Sequence, residues 1–79
     1  MSKTNKTKKV KTNQEDELFL AGIVFSVQEM VLNYDYVGGR FIAEKIVQSS
    51  GFELKDFLRE QKKTGYDNRI MNKFFREAL

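Results

Sequence analysis

The chain has 79 residues, a net charge of +3, and neither cysteine nor histidine. This length allows one small domain, and the missing residue types exclude disulfides and the histidine or cysteine ligands on which zinc and copper sites depend. Since no serine has a recognisable activating motif either, we expect a protein that is not an enzyme and uses no cofactor, metal ion or small-molecule substrate.

The charge is divided into three blocks along the chain. Residues 1–13 contain five lysines and no acid, residues 14–39 contain five acids and no base, and residues 40–79 contain nine bases and six acids. The blocks carry +5, −5 and +3, which sum to the net charge of +3. Such patterning reports on partners more than on fold.

The first block predicts a disordered basic tail in front of a single helical domain over residues 14–79. Only Met1 and Val10 are apolar in the tail, so burial cannot offset the entropy of ordering it. Two interpretations stay open: a solubilising segment, or a basic arm that contacts phosphates or an acidic protein surface. The candidate contact residues of the tail are Lys3, Lys6, Lys8, Lys9 and Lys11.

The first helix is predicted to begin near Thr12 or Asn13 and to end near Asn33. Thr12 and Glu15 have the spacing of a capping box, and acids fill the first turn, where the helix dipole favours negative charge. Apolar residues recur at helical spacing but extend well beyond one face, which is typical of a helix that is central to the fold or buried in an oligomer contact. A strand over residues 18–27 is the competing interpretation.

The second helix is predicted over about residues 37–49, with Asp35 as its cap. The Gly38-Gly39 pair before it indicates either a tight turn or close helix approach, or an anion-binding backbone loop that ends in Arg40. The residues expected to face inward are Phe41, Ile42, Ala43, Ile46 and Val47.

Two pairs of small residues favour close packing of the first helix on the second. Gly22 and Ser26 lie four residues apart in the first helix, and Gly39 and Ala43 lie four apart in the second. Residues four apart are neighbours on one helix face, so we expect each pair to lie in the contact between the two helices.

Two further helices complete the predicted domain. Gly51 ends the second helix in a left-handed conformation, and Ser50 with Glu53 has the capping-box spacing that opens the third. Gly65 ends the third helix, and the fourth runs from about Asp67 to the terminus. The fold class is therefore all-α, a compact bundle of three to four short helices preceded by the basic tail.

The third and fourth helices each carry three bases at positions i, i+4 and i+7, opposite or beside the apolar stripe. With Arg40 and the tail, these bases are the candidate contacts to a protein partner or a polyanion. They are Lys55, Arg59 and Lys62 in the third helix and Arg69, Lys73 and Arg76 in the fourth. The alternative is an ordinary charged surface, in which nearby acids pair with the bases. The predicted intrahelical pairs are Asp56–Arg59, Glu60–Lys63, Arg40–Glu44 and Lys73–Glu77.

Three functions follow from these features. The favoured one is a small binding or regulatory protein that contacts or occludes a larger protein partner, because the first helix has more apolar surface than one core needs. The alternatives are a DNA- or RNA-binding accessory protein that uses the tail and the basic stripes, and a structural homo-oligomer. No secretory signal or membrane span is evident, so we expect no membrane contact and a cytoplasmic location.

In composition the chain resembles small accessory proteins of phages and mobile elements. It is rich in lysine, asparagine and phenylalanine and has no proline, cysteine or tryptophan. The resemblance implies a host-takeover or anti-defence role in the host cytoplasm.

Overall fold

The computed structural model describes residues 14–79, which form four α-helices joined by short connections. α1 spans Gln14–Asn33, α2 Gly39–Ser49, α3 Leu54–Thr64 and α4 Asn68–Ala78, and a 3₁₀ turn over Asp35–Val37 joins α1 to α2. These residues contain no strand. The all-α prediction is therefore confirmed, and the competing strand over residues 18–27 is wrong.

Two predictions about the start of the chain lie outside the described residues. They are the disordered tail with its five candidate lysines and the capping box between Thr12 and Glu15. From Gln14 onward α1 follows the prediction: its acids occupy the first turn and it ends at Asn33. The negative charge thus lies at the positive end of the helix dipole.

α1 is the helix on which the bundle is assembled. It packs most extensively along α2 and also contacts α3, while α4 packs against α3 and α2. The face of α1 that these contacts bury repeats at helical spacing and consists of Leu20, Val24, Val27, Gln28 and Val31. The rest of the helix, including several large apolar residues, stays in contact with solvent.

A chain of aromatic rings crosses the core. The ring of Phe52, in the α2–α3 connection, lies 6.1 Å from that of Phe19 in α1 and 6.2 Å from that of Phe57 in α3. Phe57 stacks on Phe75 of α4 at 5.0 Å, and Phe75 meets Phe74 edge-on at 5.3 Å. Such pairs contribute about 0.5–1.5 kcal/mol beyond their buried area. The adjacent Phe74 and Phe75 are both buried because α4 contacts two other helices.

The α1–α2 connection depends on a close approach of Gly39 to the end of α1. The N–H of Gly39 donates to the carbonyl oxygen of Tyr34 at 2.8 Å, and a Cβ on Gly39 would overlap the carbonyl oxygens of Met30 and Tyr34. This contact bears out the close-approach interpretation of the glycine pair. Asp35 does not cap α2, because it lies in the 3₁₀ turn and the preceding position is taken by Gly38 with φ +87°.

The other small-residue pair does not lie in the helix contact. Gly22 and Ser26 are both exposed, and a Cβ on Gly22 would have no neighbour within 4 Å. The prediction that both pairs pack α1 on α2 is therefore right for Gly39 and Ala43, which are buried, and wrong for the pair in α1. A helix has more than one face that can carry small residues, and the spacing alone does not select between them.

The ends of α2 and α3 agree with the predicted glycines. Gly51 and Gly65 have φ values of +87° and +64°, a conformation that glycine adopts without the steric cost of a side chain. α2 ends two residues before Gly51, and α3 ends directly before Gly65.

The start of α3 differs from the prediction. The hydroxyl of Ser50 donates to the carbonyl oxygen of Val47 at 2.8 Å and accepts from the N–H of Phe52 at 3.1 Å, so Ser50 stabilises the end of α2. The cap of α3 is Glu53, whose N–H donates to Oδ2 of Asp56 at 3.0 Å. The predicted capping box is therefore shifted by three residues.

A buried polar network joins α1 to the α3–α4 hairpin. Nε2 of Gln28 donates to Oε1 of Gln61 at 2.8 Å and to Oγ1 of Thr64 at 3.0 Å. Nε2 of Gln61 donates to the carbonyl oxygen of Tyr66 at 2.6 Å and to Oδ1 of Asn68 at 2.8 Å. Gln61 is fully buried, so these bonds replace the water that burial removes.

Replacing Gly39 and Gly22 by alanine should change the stability of the fold in opposite directions. In Gly39→Ala the new methyl group meets the α1 backbone, and we expect the free energy of unfolding to fall by about 1–3 kcal/mol. In Gly22→Ala the methyl group meets nothing, and we expect a rise of about 1 kcal/mol because alanine favours the helix. Urea unfolding followed by circular dichroism measures both changes. A Gly39→Ala chain as stable as the native one would contradict the close approach.

Because Gln28 and Gln61 share hydrogen bonds, we expect the effects of replacing them on the free energy of unfolding to be non-additive. Gln61→Leu leaves the side chains of Gln28 and Asn68 and the carbonyl oxygen of Tyr66 without this hydrogen-bond partner. We therefore expect the free energy of unfolding to fall by about 1–3 kcal/mol. Gln28→Leu/Gln61→Leu removes the pair together and should be less destabilised than the sum of the single variants, by about 0.5–3 kcal/mol. The same unfolding assay tests this cycle. Strict additivity would show that the two amides stabilise the fold independently.

Candidate functional site

Acids of α3 and its cap neutralise most of the predicted basic stripe on that helix. Nζ of Lys55 lies 3.6 Å from Oε1 of Glu53, and Nη1 of Arg59 lies 3.2 Å from Oδ1 of Asp56. Lys62 forms no ion pair with residues 14–79. The predicted Asp56–Arg59 pair is confirmed, and the stripe offers one unpaired cation rather than three.

The second predicted ion pair on α3, Glu60–Lys63, forms at a buried carboxylate. Nζ of Lys63 lies 3.4 Å from Oε1 of Glu60, as the sequence predicts. Glu60 is 7% exposed, and this oxygen accepts no hydrogen bond in the described part of the chain. The lysine therefore compensates a carboxylate that burial would otherwise penalise.

The bases of the α4 stripe form no ion pairs with acids in the described part of the chain. Arg69, Lys73 and Arg76 are exposed, and none of them lies within ion-pair distance of an acid among residues 14–79. The predicted Lys73–Glu77 pair is therefore wrong. An exposed pair gains little from its Coulomb attraction and loses side-chain entropy, so suitable spacing does not by itself bring the charges together.

Arg40 is the one predicted base of α2, and the fold places it next to α4. Its Nε lies 3.9 Å from Oδ1 of Asp35, and its guanidinium carbon lies 5.8 Å from the centre of the Phe74 ring. The predicted pair with Glu44 does not form. Arg40 and Lys73 line the same open cavity, so the structure brings these two candidate residues together.

The net charge of the described helices is negative. The blocks over residues 14–39 and 40–79 carry −5 and +3, which gives −2. The positive charge of the whole chain thus resides in residues 1–13, and the helices offer a polyanion local cations, chiefly the three unpaired bases of α4 beside Arg40. Long-range attraction of a polyanion by the helices alone is weak on this balance.

An apolar groove runs between α1 and α2. Two adjoining open cavities of about 440 and 450 Å³ share the side chains of Phe19, Ile23 and Ile46. Together they form one surface whose α1 wall consists of Leu18, Phe19, Gly22, Ile23, Ser26 and Met30 and whose α2 wall consists of Ile42, Lys45, Ile46 and Ser49. We call this surface the α1/α2 groove.

Three apolar side chains of the α1/α2 groove are far more exposed than apolar side chains that serve only a core. Leu18 is 68% exposed, Phe19 61% and Ile42 49%. Soluble monomers rarely expose a large contiguous apolar patch, and such patches with polar rims mark sites of protein–protein contact. The groove is therefore the candidate functional site of the described residues.

Sequence reasoning found one wall of this site and missed the other. The surplus apolar surface of α1 was predicted, but Ile42 and Phe41 were expected to face inward and are 49% and 62% exposed. Ile42 lies at the edge of α2 that faces the groove, and α4 covers a different side of that helix. Gly22, a glycine inside an apolar helical run, is the sequence signal that marks the α1 wall.

Comparisons with family models, curated proteins and solved structures give no match to this chain. Its function is therefore inferred from geometry and charge alone. Over the four helices, none is both long and apolar enough to cross a membrane. In the same part of the chain, no three acidic side chains are grouped in a way that could hold a metal ion.

Proposed function

We propose that the chain is a small non-enzymatic binding protein that contacts or occludes a larger protein partner through the α1/α2 groove. The observation that supports this proposal is the exposure of Leu18, Phe19 and Ile42 along one continuous apolar surface. Burying a side chain of this size from full exposure contributes about 1.5–3 kcal/mol, so a partner that covers all three gains a substantial part of its binding free energy there. The host-takeover role implied by composition stays a prediction.

The layout of the groove also supports a binding role. Most of its lining side chains are apolar, and Ser26, Lys45 and Ser49 add polar groups to the same surface. Protein interfaces combine an apolar centre that loses its water with a polar rim that keeps it. The mainly apolar lining with a few polar groups agrees with that composition.

The walls of the groove are held in place before any partner arrives. Ile23 and Ile46 pack against the buried core, and the ring of Phe19 contacts that of Phe52. Side chains that are already ordered lose little entropy on binding. A preformed groove of this kind favours a partner that inserts its own side chains.

Capture from the source cell tests the groove with matched substitutions. Leu18→Ser and Ile42→Ser remove apolar side chains from the groove, whereas Tyr36→Ser and Val37→Ser remove large exposed ones elsewhere, which are 82% and 61% exposed. We expect the tagged native chain and the control variants to recover the same partner, and the groove variants to recover roughly tenfold less, since a decrease of about 1.4 kcal/mol in binding free energy gives that factor. Urea unfolding verifies that all four variants are folded. Equal recovery by groove and control variants would rule out the groove as the binding site.

A second candidate function, binding of DNA or RNA, is favoured by one observation. The cations of α4 have no acid partner in residues 14–79, and Lys73 shares a cavity with Arg40. When unpaired lysine or arginine side chains neutralise phosphates, the counterions condensed on the nucleic acid are released, which makes the affinity depend on salt. In the α3 stripe, Lys55 and Arg59 are paired with acids, and Lys62 is the one base without an ion pair among residues 14–79.

The salt dependence of binding to a DNA or RNA duplex tests this second candidate. Under it, neutralising the α4 stripe (Arg69→Gln/Lys73→Gln/Arg76→Gln) reduces the slope of log affinity against log salt by about 0.9 for each duplex phosphate that the variant no longer neutralises. The matched control is Lys55→Gln/Arg59→Gln/Lys62→Gln, which removes the same charge from the paired stripe and should change the slope less. Electrophoretic shift at several salt concentrations measures both. If the native chain shifts neither DNA nor RNA at low salt, this candidate is excluded.

A further inference from the structure

We infer that the occupant of the α1/α2 groove is an amphipathic helix of another protein, with basic residues beside its apolar stripe. The inference rests on the proposed function and names the class of partner. Three features of the described residues carry it: the charge around the groove, the lack of a matching ridge of equal length on the rest of the bundle, and the open space at Gly22.

The α1 side of the groove is bordered by acids. Glu15 lies one turn before Leu18, Glu29 directly precedes Met30, and α1 contains no base. Neither acid forms an ion pair within the four helices. Lys45 is the base on the α2 wall, and its Nζ lies 5.1 Å from the centre of the Phe41 ring. A partner with lysine or arginine beside its apolar residues is therefore complementary to the α1 wall.

A second copy of this chain offers that combination only over a short stretch. Two α1 faces laid together would oppose acids with acids, which disfavours the contact. The outer faces of α3 and α4 are basic, but their exposed positions are mostly polar, with Ile70 the large apolar residue exposed within α4. Residues 1–13 contain two apolar side chains in their sequence. The exposed Val37 and Phe41 lie beside the bases Arg40 and Lys45, but they span about one helical turn, whereas the α1 wall of the groove runs from Leu18 to Met30. None of these segments has an apolar ridge long enough to fill the groove.

The space at Gly22 indicates that the occupant is a helix. Gly22 lies in the middle of α1, where glycine weakens a helix, yet its φ is not positive and nothing within 4 Å would meet a Cβ. The fold therefore has no use for a glycine at this position. With Ser26 one turn away, it leaves a shallow path along which the backbone of a packed helix can approach α1 closely. Helix-in-groove recognition uses apolar residues at i, i+3, i+4 and i+7, a spacing that suits a groove between two helices.

Selection from a displayed library of random peptides about 16 residues long, some four helical turns, tests the inference. The full chain is the target, and the chain with Leu18→Ser/Ile42→Ser serves for counter-selection. We expect the groove-dependent peptides to show helical apolar spacing and an excess of lysine and arginine. An excess of acidic residues, an alternating apolar pattern, or no groove-dependent peptide at all would overturn the inference.

Variants of the target then separate binding from folding. Gly22→Leu should bind the selected peptides roughly tenfold more weakly while its resistance to urea rises, because leucine fills the path but favours the helix. Glu15→Gln/Glu29→Gln should weaken binding several-fold, and Glu44→Gln/Glu77→Gln, which makes the same charge change away from the groove, should not. Unchanged affinity of Gly22→Leu, or equal effects of the two glutamine pairs, would overturn the inference.

The failure of this inference is distinguishable from failure of the proposed function. If cellular capture depends on Leu18 and Ile42 but the selected peptides are acidic or extended, the binding role stands and the class of partner is wrong. If sedimentation shows a dimer that Leu18→Ser abolishes, the occupant is a second copy. If capture is insensitive to both residues, both proposals fail.

Discussion

The contact between Gly39 and the carbonyl end of α1 sets the path of the chain through the whole bundle. Because Gly39 has no side chain, α2 starts directly against the backbone around Met30 and Tyr34 and runs back along α1. That return path places Ile42 and Ile46 beside the outer apolar residues of α1, which creates the groove. A bulkier residue at this one position would move α2 away and change both the core and the candidate site.

The α3–α4 hairpin covers the other side of α1 and leaves the groove open. The amides of Gln28 and Gln61 join the hairpin to α1, and the stacked rings of Phe57 and Phe75 join α3 to α4. Hydrogen bonds between buried amides need defined geometry, so they hold the hairpin in one place along α1. The four described helices then include no element that covers Leu18, and its exposure follows from the size of the fold.

The charges of the molecule support different roles for its parts. The helix dipole favours the acids in the first turn of α1, and local ion pairs account for Lys55 and Arg59 on α3. The cations of α4 and the acid Glu29 beside the groove have no ion-pair partner among the described residues. Charges that the fold does not pair are available to select a partner and to speed its approach.

Local patterns in the sequence predict the four helices, the glycines Gly51 and Gly65 after α2 and α3, and the surplus of apolar residues on α1. They can do so because hydrophobic periodicity and backbone preference are local properties. They also pointed to the close approach at Gly39. Packing between distant residues, in contrast, selected which face of α1 is covered, turned Ile42 outward and brought Arg40 next to Lys73. An all-round apolar helix can be buried on any side, and the choice depends on contacts between residues far apart in the chain, which no local pattern records.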